Sequence, residues 1–221
     1  EAVQRLLPAR DSDGFTLIDA AMPGKADLIF ARLAEWGGGP TDLKRILITH
    51  ADLDHAGSAA ELQARSGATV HAGAATAALL VEGRSPRHMP QPVQFLIDRF
   101  VRYKRVDRGA IRPLGDGDEL PVLGGLRVLA APGHTSEQHA LYSPAAGVLF
   151  AADALNTRDG RLQLTPRRIT ADQAAAERTA IQLLQLSPAV IACGHGAPLV
   201  DGGAAMGDLL ARLAALRENK L

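Results

Sequence analysis

The chain has one cysteine, Cys193, among 221 residues. No intrachain disulfide can form and no thiolate cluster can bind a metal, so any metal must be held by His, Asp and Glu. A single thiol also fits a reducing compartment, and a cytoplasmic location is the expectation. Aromatic residues make up only 4% of the chain, too few to supply a base-stacking surface. An excess of either charge is missing: 24 Lys and Arg face 24 Asp and Glu. No bulk attraction to nucleic acid or to an anionic membrane follows, and neither is expected as a partner. The longest apolar runs fall far short of the roughly 20 residues that cross a bilayer. The chain opens on Glu1 rather than Met, so a trimmed start is expected and a removed leader peptide stays open.

What is present is an ordinary globular composition, 47% apolar and 22% charged, sized for one large domain or two small ones. Residues 3–9 and 15–19 read as strands joined by the turn residues Asp11-Ser12-Asp13-Gly14. Ala26, Ile29, Phe30, Leu33 and Ala34 recur at helical spacing and stop before Gly37-Gly38-Gly39-Pro40. A short apolar strand covers 45–49, a helix 59–66, a strand 68–72 and a helix 74–81, with Gly67 and Gly83 closing the helices. This alternation predicts a sheet covered by helices. Strands are predicted again over 126–131, 140–142, 148–151 and 189–192. A helix opens at the capping box Thr170-x-x-Gln173 and runs to about Leu186, and a last one spans 204–216. Residues 84–113 differ from both halves. They carry eight Arg and Lys against Asp98 and Asp107, with Val93, Leu96, Ile97, Phe100 and Val101 on one helical stripe.

Four potential metal ligands, His50, Asp52, Asp54 and His55, fall within six consecutive positions. A solvated polar loop is the bland alternative, but a strand precedes the stretch and a helix follows it. Neutral imidazole and carboxylate are the ligands of zinc, iron and manganese in water-accessible sites. Ligands at the first and third positions leave an extended segment on one side; those at the fifth and sixth can turn toward a second, adjacent metal. His134, in Ala131-Pro132-Gly133-His134-Thr135, and His195, in Cys193-Gly194-His195-Gly196, also follow predicted strands. Layered folds place ligands at strand C-terminal ends, so three imidazoles from three strand ends can converge.

This series resembles the metallo-β-lactamase fold superfamily, whose signature is His-x-His-x-Asp-His after a strand, a His in a Gly-His-Thr turn, a bridging Asp and a late Gly-His. Here it runs His50, Asp52, Asp54, His55, His134, Asp153 and His195, and it spans nearly the whole chain. Thr16-Leu17-Ile18-Asp19 is similar to the family's first-hairpin segment. The resemblance implies a single α/β domain over 1–221, a four-layer αββα sandwich, with 84–113 as a helical cap insert. It implies two divalent ions, zinc first and iron or manganese as alternatives. His50, Asp52 and His134 would hold one, Asp54, His55 and His195 the other, with Asp153 bridging. Asp54 would also orient the nucleophile, a metal-bridging hydroxide. Asp52 departs from the family's His and is a harder ligand, which raises iron and manganese relative to zinc.

The implied activity is hydrolysis of an ester, thioester or lactone in a small substrate. An iron-dependent oxidoreductase on the same fold is the alternative; a binding protein with a vestigial site fits the full ligand set poorly. The Asp at 52 and the cap point away from β-lactam hydrolysis. Further expectations attach to single residues. Asp19 backs the ligand loop, Thr49 and Thr135 orient ligands, and His139 sits near the metals. His71 is structural, His88 is solvent-exposed in the insert, and Cys193 is a buried small apolar residue. The insert is read as a solvated cap, as a lid whose apolar stripe covers the metals and whose Arg side chains draw an anionic or acyl group, or as a homodimer contact. Tyr103 is a candidate donor to an oxyanion.

Overall fold

The computed structural model describes residues 9–218. The strand expected over 3–9 lies outside the described residues except for Ala9. A hairpin opens the described chain: β1 (Ala9–Asp11) pairs antiparallel with β2 (Gly14–Ile18), turning at Ser12-Asp13. Next come α1 (Ala26–Glu35), β3 (Leu43–Ile48), α2 (Leu53–Ala56), α3 (Ala59–Ser66), β4 (Thr69–Gly73), α4 (Ala74–Glu82), α5 (Val93–Phe100) and β5 (Ile111–Leu114). Strands β2 to β5 lie side by side and parallel, because helical crossovers return the chain to the same edge each time.

The second sheet starts as a meander of β6 (Glu119–Leu120), β7 (Leu126–Ala130), β8 (His139–Ser143) and β9 (Val148–Ala152). A short ribbon, β10 (Leu155–Asn156) with β11 (Gln163–Leu164), follows. Then α6 (Gln173–Gln185) carries the chain back to β12 (Val190–Cys193), parallel to β9, and β13 (Leu199–Val200) closes the edge before α7 (Gly203–Glu218).

Three apolar clusters separate four layers. Phe15, Leu17, Ile46, Ile48 and Val70 face α1, α3 and α4 with Ile29, Leu33, Leu62 and Leu80. Leu149, Ala151, Ile191 and Cys193 face α6 and α7 with Leu183, Leu184, Leu209 and Leu213. Ile18, Leu47, Val128, Leu141, Phe150 and Ala192 meet between the two sheets. Alternation along each strand produces this: Ile46 and Ile48 point one way and Leu47 the other. Each fully buried Leu contributes about 1.5–3 kcal/mol of transfer free energy. The αββα sandwich expected from the sequence is therefore the fold.

Two local expectations change. Helix α6 is capped by Asp172, whose carboxylate accepts from the Ala175 amide at 2.9 Å, not by Thr170, whose hydroxyl donates to Pro166 O at 3.1 Å. Of the insert only residues 93–100 are α-helical, with one 3-10 turn at 108–110, and the apolar stripe faces outward: Leu96 is 52% exposed and Phe100 70%. That stripe does not cover the strand ends, so the lid reading of it is withdrawn.

Candidate metal centre

The C-terminal ends of β3, β9 and β12 meet at one edge of the sandwich. His50 follows β3, Asp153 follows β9, His195 follows β12, and His134 sits in the turn between β7 and β8. The single turn of α2, bounded by an extended Asp52 (φ −64°, ψ 148°), carries Asp54 and His55. That turn divides the four ligands of the opening motif between two directions. The His134 turn is fixed by the start of α6, where the Asp172 amide donates to Gly133 O and the Ala171 amide to His134 O, both at 3.0 Å.

All seven expected residues come together. His50, Asp52 and His134 form one group and Asp54, His55 and His195 another, the ligand atoms within each lying within 4.8 Å of one another. Asp153 lies between them. Its Oδ2 is 3.0 Å from His195 Nε2 and 3.7 Å from His134 Nε2, and its Oδ1 is 3.3 Å from His55 Nε2. The His50 and His55 rings pack tilted against each other with centroids 4.0 Å apart.

The backing residues set the tautomers. Asp19 Oδ2 lies 2.8 Å from His55 Nδ1, so the neutral ring donates there and leaves Nε2 bare toward the site. Thr49 Oγ1 donates to Asp19 at 2.9 Å and lies 3.0 Å from His50 Nδ1, which donates to it and leaves a second bare Nε2. Asp19 itself adopts φ 60°, which turns its carboxylate onto the Thr49 amide at 2.9 Å. We expect Asp19→Ala to weaken metal affinity about 10–100-fold, as measured by competition with a chromophoric chelator. Unchanged affinity would mean that packing alone holds the two rings. His139 contributes through its backbone, the amide donating to Thr49 O at 3.0 Å. Thr135 is buried, with no hydrogen-bond partner for its hydroxyl among the described residues. His71 has Arg45 and Arg112 as its charged neighbours, away from the carboxylates.

The charges are tightly balanced. Burial opposes ionisation of Asp153, but His55 and His195 outweigh it and hold the carboxyl well below the usual range. Burial likewise opposes the Asp52 charge, and the hydrogen bond to His134 with the nearby His50 ring overcomes it. Burial disfavours protonated His55, yet Asp153 and Asp19 raise it well above an ordinary histidine. His134 is raised against its burial by Asp52. Cys193 is buried with its thiol pushed up by desolvation, an inert packing residue as expected.

Two expectations for the insert are overturned. His88 is buried, not solvent-exposed, and its ring packs tilted against that of His134, centroids 4.7 Å apart. Pro86, itself buried, and the Gln94 side chain fold its loop inward. Burial lowers its proton affinity. Tyr103 is no oxyanion donor: its hydroxyl lies 2.8 Å from Arg84 O and 3.2 Å from Ala51 O, tying the insert to the ligand loop. A third residue was not anticipated. Arg158 lies 2.8 Å from His195 Nδ1, the ring nitrogen turned away from Asp153 and Asp54.

The residues fit a cationic ligand. Among the described residues, the buried atoms His50 Nε2, His55 Nε2 and Asp153 Oδ1 have no hydrogen-bond partner, and such groups require one. Gly194 lets the backbone pass close by, since a methyl there would overlap Asp153 Oδ1 and His55 Cε1.

Comparison with known proteins identifies the family. Residues 9–195 match the model of the metallo-β-lactamase superfamily. The chain belongs to that superfamily. A probable metallo-hydrolase, YflN of Bacillus subtilis (strain 168), is 27% identical over 202 residues, covering 84% of this chain and 76% of the relative. A hydroxyacylglutathione hydrolase of Dechloromonas aromatica (strain RCB) is 36% identical over 152 residues, 67% of this chain and 44% of the relative. Among solved structures, a B3 metallo-β-lactamase described as having an active-site glutamic acid superposes with a TM-score of 0.67 at 26% identity, covering 96% of this chain and 85% of that one. No helix among the described residues is long and apolar enough to cross a membrane.

Proposed function

We propose that the chain is a hydrolase that binds two divalent ions and cleaves an ester, thioester or lactone in a small acyl substrate. Asp153 carries the reading: one buried carboxylate lies within 3.7 Å of a histidine from each ligand group. His50, Asp52 and His134 would hold one ion, Asp54, His55 and His195 the other, and Asp153 both. Such a pair supplies a water acidic enough to attack near neutral pH and a Lewis acid for the carbonyl oxygen. Asp19 and Thr49 present two imidazoles with the coordinating nitrogen bare. Asp54, whose side chain is 33% exposed, is the ligand carboxylate most open to solvent. From there it can orient the attacking oxygen and pass a proton to the leaving group. The hydroxyacylglutathione hydrolase relative, whose name places an acyl bond in its substrate, supports this choice of bond.

A second reading has one observation in its favour. His50, His134 and Asp52 are two imidazoles and a carboxylate, a set that also suits non-haem iron and hence an iron-dependent oxidoreductase. Elemental analysis of protein purified without added metal or chelator separates the two. We expect about two zinc per chain, and chelator-sensitive turnover of at least one substrate in a panel of esters, thioesters and lactones. Iron with no hydrolysis favours the oxidoreductase. Failure to take up any divalent ion on reconstitution excludes both.

A further inference from the structure

We propose that His88, reaching in from the insert, is a ligand of the ion held by His50, Asp52 and His134. Asp52 Oδ2 is ringed by three imidazole nitrogens: His134 Nε2 at 3.0 Å, His50 Nε2 at 3.4 Å and His88 Nε2 at 3.4 Å. Donor atoms bound to one tetrahedral ion at about 2.0–2.1 Å lie about 3.4 Å apart. The His88 separation from Asp52 equals that of His50, while His88 stands outside the tighter group of His50, Asp52 and His134, so co-ligation requires its ring to move toward the ion.

The ring is also unexplained without a ligand. Its side chain is 2% exposed, and among the described residues neither ring nitrogen has a hydrogen-bond partner. A buried histidine with a purely structural role satisfies at least one nitrogen, because each orphaned polar atom costs about 1–3 kcal/mol. The segment bearing it is built to hold this position. Gln94, almost fully buried, accepts from the His88 amide at 3.1 Å and the Met89 amide at 3.0 Å through Oε1, and donates to Asp98 at 3.0 Å. Asp98 pairs in turn with Arg87 at 2.9 Å. At the other end, the Tyr103 hydroxyl links Arg84 to Ala51, the residue between His50 and Asp52. The insert thus presents an imidazole to the ligand loop, and metal binding would couple the two.

This inference rests on the two-metal reading, and the test keeps the two apart. Zinc affinity would be measured by chelator competition for the wild-type chain, His88→Ala and His88→Gln, with cobalt(II) absorption spectra alongside. We expect the wild type to bind two equivalents. In both variants one equivalent should weaken by at least about 100-fold, more than loss of an outer-shell partner costs. The cobalt spectrum of that equivalent should change, and added imidazole should restore it in His88→Ala. Variants that melt cooperatively and match the wild type in affinity and spectrum overturn the His88 assignment and leave the two-metal reading standing. A wild type that binds no metal overturns both. X-ray absorption on wild-type protein loaded with one equivalent of zinc needs no variant: three imidazoles are expected, and two count against His88.

Discussion

Asp153→Asn is expected to abolish tight binding of both ions and to lower hydrolysis more than 100-fold. Asp153 is a carboxylate that faces histidines of both ligand groups: it has His134 and His195 on Oδ2 and His55 on Oδ1. The amide preserves volume, so packing against Ala152 and Gly194 is kept. What it loses is the negative charge and one acceptor. A carboxylate this buried holds its charge only because imidazoles surround it. With an amide there, two cations would be brought close together without the anion between them, and their mutual repulsion would be unrelieved. Outer-shell losses alone cost about 10–100-fold in affinity; removing a bridging carboxylate should cost more. Elemental analysis after desalting, with the wild type beside it, reads the result. Retention of two ions per chain in the variant would remove Asp153 from the bridging role. Asp54→Asn is the useful contrast, because Asp54 belongs to one ligand group only, so one ion should stay.

Much of this centre was legible in the sequence, and the reason is local. His50, Asp52, Asp54 and His55 lie on one short loop and turn, where spacing alone limits where the side chains point. His134, Asp153 and His195 each end a strand, and strand ends of a layered fold share an edge. The hydrophobic period predicted β3, β7, β9, β12 and the long helices because each buries a face. The two-residue strands β6, β10, β11 and β13 were missed because a run that short has no period to read. His88 and Arg158 were missed for a different reason. Each lies in an irregular segment whose approach to the site is decided by contacts distant in sequence, such as Tyr103 to Ala51 and Thr157 to His195. The outward face of α5 was misread because an amphipathic stripe says that one side is apolar, not which partner it meets. His88 in the run Pro86-Arg87-His88-Met89-Pro90 carried only a weak signal, a histidine in a proline-bounded loop.

The metal-stripped protein should lose stability as pH rises from 6 to 8.5, and the metal-loaded protein should gain it. His55 and His134 are held above the ordinary histidine value by Asp153, Asp19 and Asp52. A group whose proton affinity is raised on folding stabilises the fold fully below its unfolded pKa, near 6.5. That contribution is lost as pH climbs through the folded value. Asp52 and Asp153 are depressed, so their contribution is present above about pH 4 and disappears only in acid. Between pH 6 and 8.5 the carboxylates stay charged; His55 and His134 give a negative slope, which His88 and His71, both lowered by burial, oppose only near the ordinary histidine value of about 6.5. A tenfold difference in proton affinity is about 1.4 kcal/mol, or about 3–6 °C in melting temperature for a domain of this size. Metal reverses the slope because it binds the neutral imidazoles: raising pH removes the competing protons, and binding energy becomes folding energy. Melting curves in chelator and in excess zinc, at both pH values, check the two signs. A stripped protein that is more stable at pH 8.5 would show that the imidazoles are neutral in the folded chain, and that the four carboxylates of the site are balanced by something other than protonated histidine.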